Sequence, residues 1–378
     1  MNLTCERNQL TDALTLVGRA VSSRTSMSIL ECVLLRADED GLTLSGNNLD
    51  ISIDTASIPA EIDEPGGIAL DAKQFTEIIR KISGEFVTIE TDINNVALIK
   101  SGRTRLKIAG KPMEEFPVMD ESELTGASAV YTIKASLLRD MIRQTIFSVS
   151  PDQSKPVLTG ELMEIKDNIL RVVAVDMFRI SYRSEVLSCD AEDDKGSDSK
   201  AVVPAKAMTE LSRILPTEAE EDVSFYFTEK RAIFSTKAFT LVSRILEGDF
   251  IRYDQIFNED FITMVTANRM ELLSVFERAM LVVTDNQMIP MEINITDDDF
   301  TISSGTESSQ VDDGIPCETD GKDLTIYFNP RYFIEALRVI EDERIALKFN
   351  TQRSPCTIKG VDTETDYKYL IVPLRGPN

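Results

Sequence analysis

Three short segments carry cationic side chains at one repeated spacing: Lys73-Gln-Phe-Thr-Glu-Ile-Ile-Arg80, Lys206-Ala-Met-Thr-Glu-Leu-Ser-Arg213 and Arg331-Tyr-Phe-Ile-Glu-Ala-Leu-Arg338. Each has a base, an apolar residue two on, a Glu four on and an Arg seven on. Wound as a helix at about 100° per residue, Lys73 and Arg80 lie within about 20° of each other, while Phe75, Ile78, Ile79 and Ile82 fall between about 140° and 240° away. Lys206 and Arg213 stand opposite Met208, Leu211 and Leu215 in the same way, as do Arg331 and Arg338 opposite Phe333, Leu337 and Ile340. Arg139 and Arg143 likewise lie off the stripe of Leu138, Met141 and Ile142. Cations displayed on one helix face neutralise phosphates without reading base edges. A Glu four residues after a base can also form an ordinary ion pair on a solvated face. Repetition in register leaves both accounts standing.

Other chemistries lack their residues. The chain has no histidine, which removes Ser-His-Asp and Cys-His catalysis and the zinc motifs that need an imidazole. Its five cysteines (Cys5, Cys32, Cys189, Cys317 and Cys356) are scattered without a C-x-x-C pair and read as reduced, buried thiols. No phosphate loop of the G-x-x-x-x-G-K-[ST] kind and no G-x-G-x-x-G occurs. The acidic stretch Asp190–Asp198 fails as a calcium loop, because Lys195 stands where the turn glycine belongs and Ala201 where the bidentate Glu belongs. Asp297-Asp-Asp299 reads as a hairpin turn. Neither a metal nor a cofactor is expected, and no catalytic residue is assigned. The first residues reach Glu6-Arg7 without an apolar leader, and no apolar run approaches the ~20 residues of a membrane span, so a soluble cytoplasmic protein is expected.

The elements that position those bases recur as well. A shift of 128 lays Thr4-Cys5-Glu6 on Thr132-Ile133-Lys134, and Leu10, Ala13, Leu14, Val17 and Val21 on Leu138, Met141, Ile142, Thr145 and Val149. At the second helix the shift is 133, with the extra residues assigned to the charged segment Asp190–Asp198. A third copy maps at 258, with its first helix (Leu272, Val275, Phe276, Ala279) fitting best at 262. One domain is therefore written three times, over residues 1–125, 126–255 and 256–378. Within each copy, period-2 segments such as Cys32-Val-Leu-Leu35, Leu42-Thr-Leu-Ser45, Ile51-Ser-Ile-Asp54, Phe86–Glu90 and Arg105–Ile108 alternate with the two helices. The expected fold is α+β, three repeated domains of two helices on an antiparallel sheet, each with its own core.

Forty basic against sixty-four acidic residues give a net charge of −24, and a chain so acidic should repel nucleic acid if its charge were evenly spread. It is not. A basic interior and acidic exterior reconcile the two facts. At this point the chain resembles the bacterial DNA sliding clamps, the beta subunits of DNA polymerase III, over essentially its whole length. The carrying segments are Arg24-Thr-Ser-Met-Ser-Ile-Leu30, Ser101-Gly-Arg-Thr-Arg105, Phe116-Pro117, Val173-Ala-Val-Asp-Met-Phe-Arg179, Glu247-Gly-Asp-Phe250 and Tyr369-Leu-Ile-Val-Pro-Leu-Arg375.

The resemblance implies that each chain forms half of a closed ring. Two copies join head to tail so that twelve helices line a hole around duplex DNA, without sequence preference and without a bond being made or broken. It also implies three surfaces. Arg24, Lys73, Arg80, Arg139, Arg143, Lys206, Arg213, Arg331 and Arg338 would face DNA. Arg103, Arg105 and Leu106 would meet Leu281, Val282, Glu307, Asp312 and Asp313 of a second copy. A groove at Leu158, Val175, Met177, Arg179, Ile180, Ile251, Ile256, Val372, Pro373, Leu374 and Arg375 would take short peptides, with a Gln anchor and a Leu/Phe end, from the replicative polymerase, the clamp loader and repair proteins. Met177-Phe178 and Ile251 depart from the family's usual Gly-His or Gly-Tyr and Pro, which adds bulk at that groove, and Gly376-Pro377-Asn378 extends beyond it. A non-encircling acidic scaffold on the same fold is the alternative.

Overall fold

The computed structural model describes the chain except for residues 23, 118–120, 126–128, 188–197, 219, 258–259, 283–289, 298, 307–308 and 377–378. Its helices keep the spacing of the repeat. Helices α1 (Arg7–Val17) and α3 (Ala135–Thr145) begin at equivalent positions under the shift of 128, and α2 (Ala72–Lys81) and α4 (Ala205–Ile214) under the shift of 133. Helices α5 (Arg269–Met280) and α6 (Pro330–Leu337) begin where shifts of 262 and 258 put them. Each follows a strand closely, and three of them are capped by a polar side chain. Asp71 accepts a hydrogen bond from the backbone N of Gln74 (2.7 Å), and Asn268 accepts from Met270 N (2.9 Å) and Glu271 N (3.2 Å). Asn329 accepts from Arg331 N at 3.0 Å, with Pro330 in the first turn. These caps satisfy amide donors that have no partner inside the helix.

The α+β expectation is met: among the described residues six α-helices accompany sheets whose strand pairs are antiparallel. The chain divides into two compact units. The first comprises residues 1–136 and 213–245. It holds a five-stranded sheet running Ala60–Glu64, Asn2–Glu6, Phe86–Thr91, Val96–Ser101 and Thr104–Ala109 in spatial order. Its second sheet has eight strands: Tyr131–Lys134, Asp222–Phe227, Arg231–Ser235, Phe239–Arg244, Ile51–Thr55, Gly41–Asn47, Cys32–Asp38 and Gly66–Asp71. Helix α1 packs on Gly41–Asn47 and Ile51–Thr55, and α2 on Cys32–Asp38 and Gly66–Asp71.

The second unit comprises residues 137–212 and 246–378. A nine-stranded sheet runs Ser199–Pro204, Gly160–Lys166, Ile169–Val175, Arg179–Val186, Asp366–Ile371, Cys356–Gly360, Arg344–Phe349, Thr263–Asn268 and Glu318–Gly321. A four-stranded sheet runs Gln310–Pro316, Asp299–Gly305, Met291–Thr296 and Leu324–Phe328. The α5–α6 pair is held by rings: Phe276 stacks on Phe333 with centroids 4.5 Å apart, and Phe328 meets Phe333 edge-on at 5.3 Å.

Two sheets run through the joins between repeats, while the buried core from Val265 to Ile371 is built from the third repeat alone. Leu241 of the second repeat pairs with Ile53 of the first, and Ser181 of the second with Tyr369 of the third. The strand edge that a lone repeat would leave bare is covered by its neighbour. The segment Cys32–Leu35 forms the expected strand, and all four of its residues are buried. Cys32 and Leu34, on the face away from the helices, lie under Ile29, Leu30, Met113 and Phe116 in a second small core. Cys5, Cys32 and Cys356 are buried, and burial pushes the Cys5 thiol up to about 12; Cys317 is half-buried and Cys189 lies outside the described residues. The hairpin at Asp297 is present, with Thr296 paired to Asp299 and Asp297 at φ 44°, as a two-residue turn requires; residue 298 lies outside the described residues. Most of the acidic stretch, 190–197, also lies outside them.

Candidate nucleic-acid interface and peptide groove

The structure puts the sequence-predicted bases on the outer faces of their helices. Lys73 and Arg80 on α2, Lys206 and Arg213 on α4, and Arg331 on α6 are exposed, as is Arg338 just beyond α6, while Phe75, Ile79, Met208, Leu211, Phe333 and Leu337 are buried. Arg24 is exposed in the loop after α1, and Arg139 and Arg143 of α3 are half-buried. Their electrostatic settings differ. Among the described residues no carboxylate lies within ion-pair distance of Lys73 or Arg80: Arg80 donates to Thr15 Oγ1 at 3.3 Å, and Glu77 pairs with Lys81 at 3.5 Å. In the third repeat Arg331 pairs with Glu335 (3.5 Å) and Arg338 with Glu277 (2.8 Å). Glu277 occupies the place in α5 that Thr15 occupies in α1. The same place in α3 belongs to Arg143, whose guanidinium turns to Asp140 (3.6 Å) and Glu341 (2.5 Å). The expected base–Glu pair four residues apart therefore forms at Arg331, whereas Glu77 pairs forward rather than back to Lys73. Beside α2 a depression of about 640 Å³ is lined by Thr15, Gly18, Lys73, Thr76 and Arg80, with Glu31 and Glu77 also on its wall.

The predicted groove residues gather within the second unit. Leu158, Val175 and Ile180 are buried in one apolar cluster with Leu162, Val173, Val202, Tyr253 and Leu370, and Ile251 packs against it. Ile256 and Val372 are about two-fifths exposed, Pro373 and Leu374 half-buried, and Arg375 exposed. Val372 N donates to Phe178 O at 2.8 Å and Leu374 N to Tyr327 O at 2.7 Å, which ties the terminal segment to the turn after Val175. That turn is closed by Asp176, whose carboxylate accepts from Phe178 N (2.7 Å) and Arg179 N (3.0 Å). Met177 at its tip has no left-handed backbone and is 68% exposed, so its bulk projects from the turn without straining it.

Arg179 is not a free surface cation. Its side chain is 10% exposed, and it donates through Nε to Asp176 Oδ2 (2.9 Å), through Nη2 to Phe147 O (2.6 Å) and through Nη1 to Glu335 Oε2. Its guanidinium also lies 4.7 Å from the centroid of the Tyr332 ring, which stacks with Phe178. Sequence reading missed Glu335 in this role, as well as Tyr182, whose ring is tilted against both Tyr253 and Phe257. Glu335 is visible in sequence only as a helix-surface acid. Phe250, within the quoted Glu247-Gly-Asp-Phe250, also packs on the cluster, so that motif was the available signal.

For the expected copy-to-copy surface, Arg103 is exposed in a turn, and on Thr104–Ala109, an outermost strand of its sheet, Arg105 is exposed and Leu106 is 37% exposed. Asp312 and Asp313 lie on Gln310–Pro316, also outermost, beside a depression of about 360 Å³. Arg278 bonds Asp313 and holds that carboxyl below its ordinary range. Leu281 is 83% exposed and Val282 half-buried, and Glu307 lies outside the described residues. No described helix is long and apolar enough to cross a membrane.

Comparison with known proteins follows the same three parts. Family models for the DNA polymerase III beta subunit match in order: its N-terminal domain over residues 1–120, its central domain over 132–251 and its C-terminal domain over 254–375. The chain is 31% identical over 386 residues to the beta sliding clamp of Bacillus subtilis (strain 168), covering 99% of this chain and all of that one. Among solved structures, the DNA polymerase sliding clamp of Bacillus subtilis superposes with a TM-score of 0.92 at 30% identity. The beta subunit from the DNA polymerase of Streptococcus pyogenes does so with 0.93 at 27%. Both alignments cover the whole of each chain.

Proposed function

The chain belongs to the DNA polymerase III beta subunit family, and we propose that it works as a sliding clamp, two copies closing head to tail around duplex DNA. The observation that carries this reading is the exposed cationic pair recurring at one helical position in all three repeats of a chain whose net charge is −24. Phosphate contacts of this kind are independent of sequence and weaken with salt, which suits a protein that must hold DNA and still slide. Closure holds the ring on the duplex, and tethering raises the polymerase's effective concentration at the primer end. No bond is made or broken by the clamp itself.

Two bare sheet edges support the head-to-tail join. Thr104–Ala109 presents Arg105 and Lys107, with Arg103 in the turn just before it, and Gln310–Pro316 presents Asp312. Exposed edges are templates for pairing, and opposite charge sets which edge meets which. A heterologous contact of this type closes into a ring when its rotation allows. For partners, the apolar cluster around Leu158, Val175 and Ile180 supports an extended peptide with apolar side chains, from the polymerase, the clamp loader or repair proteins.

Reversing Lys73, Lys206 and Arg331 to Glu together tests the reading. Clamp-dependent primer extension should collapse while the mass in solution stays near twice 42.2 kDa. Extension that survives the triple reversal would sink the DNA assignment, and a monomeric wild-type mass would sink the ring.

A further inference from the structure

The groove turn and the phosphate-facing helix of the third repeat share one carboxylate. Glu335 sits on α6 with its Oε2 bonded to Arg179 Nη1 and its Oε1 3.5 Å from Arg331 Nε. Arg179 is nearly enclosed, bonded to Asp176 and Phe147 O and lying over Tyr332, whereas the Arg331 side chain is 67% exposed. Phe178 stacks with Tyr332, and its carbonyl accepts from Val372 N. Residues 332 and 335 of one helix therefore touch 178 and 179 of the turn between the buried groove residues Val175 and Ile180, and Arg331 reaches that turn through Glu335.

We propose that Glu335 couples the two binding surfaces, so that phosphate held by Arg331 tightens peptide binding in the groove. The proposal rests on the clamp reading above. A carboxylate shared by two guanidiniums is divided between them. A phosphate drawing Arg331 outward removes one claim on Glu335 and, by like-charge repulsion, favours the carboxylate's inward contact with Arg179. Arg179 is then held more firmly against Asp176 and Tyr332, and the turn from 176 to 179 is fixed in its groove-forming shape before a peptide arrives. Binding at one surface must strengthen binding at the other by the same factor. A loaded ring would thus take partners more readily than a free one.

The test uses the full-length protein, a short blunt duplex at low salt and a fluorescent pentapeptide, Gln-Ser-Ala-Leu-Phe, read by anisotropy. Saturating duplex should lower the peptide Kd by about two- to five-fold, a range typical of modest coupling. Arg331→Ala, at an exposed site, should bind peptide as tightly as duplex-saturated wild type and lose the response to duplex. Glu335→Gln should bind peptide more weakly, also without response. Both ligands binding independently to wild type, or unchanged peptide affinity in Arg331→Ala, would overturn the coupling while leaving the clamp reading intact. Failure of the duplex to bind at low salt would instead overturn the clamp reading, and the coupling with it.

Discussion

Glu161 is fully buried and, among the described residues, faces no opposite charge. Its Oε1 is 2.6 Å from Thr145 Oγ1, and its Oε2 has no hydrogen-bond partner among the described residues. Thr145 Oγ1 is also 2.8 Å from Met141 O, and one hydroxyl proton serves both only if Glu161 brings its own. Burial accordingly raises its pKa from 4.5 to about 8. The folded state therefore retains a proton that the unfolded chain gives up above pH 4.5. Stability falls as pH rises from there to about 8, by about 1.4 kcal/mol per unit at most, and then levels. Thermal melts of Glu161→Gln should lose that slope, leaving the variant relatively more stable at pH 9 than at pH 5. An unchanged slope would mean the carboxylate is ionised throughout. Arg179 poses the reverse case. Arg179→Ala would strand the buried Asp176 carboxylate and should cost about 3–5 kcal/mol in a urea titration.

At the level of elements, one stacked ring pair joins α5 to α6 within a larger apolar core. Phe276→Ala removes a fully buried ring stacked on Phe333 and should destabilise by about 3–5 kcal/mol in denaturant melts. Asn329→Ala, by contrast, deletes only a cap and should cost about 1 kcal/mol. Helices were the legible part of this chain. Their apolar periodicity and caps are local, so starts at 7, 72, 135, 205, 269 and 330 all follow from the shifts between repeats. What the sequence concealed is non-local. Four consecutive buried residues at Cys32–Leu35 depend on a segment some eighty residues away, around Met113 and Phe116, folding back over them. The groove shows the same division. Leu158, Val175 and Ile180 were identified through family likeness, but Arg179's enclosure depends on Glu335 and Tyr332, 156 and 153 positions further along the chain. No periodicity encodes such a pairing.

For the molecule as a whole, the three repeats are unequal despite their common pattern. Lys73 and Arg80 carry no acidic partner among the described residues, whereas Arg331 and Arg338 each do. Each lost phosphate contact should reduce the slope of log affinity against log salt by about 0.9. Neutralising Lys73 and Arg80 should therefore flatten duplex binding more than neutralising Arg331 and Arg338, as titrations across a salt series would show. Equal slopes would mean that DNA displaces Glu335 and Glu277 freely. The ladders that stitch Leu241 to Ile53 and Ser181 to Tyr369 bear on how the gene can be dissected. A fragment cut at the obvious repeat borders would carry raw strands on its flanks and should precipitate or swap segments with its neighbours. Soluble pieces for crystallography or inhibitor screening are better sought by keeping those stitched pairs together in one polypeptide.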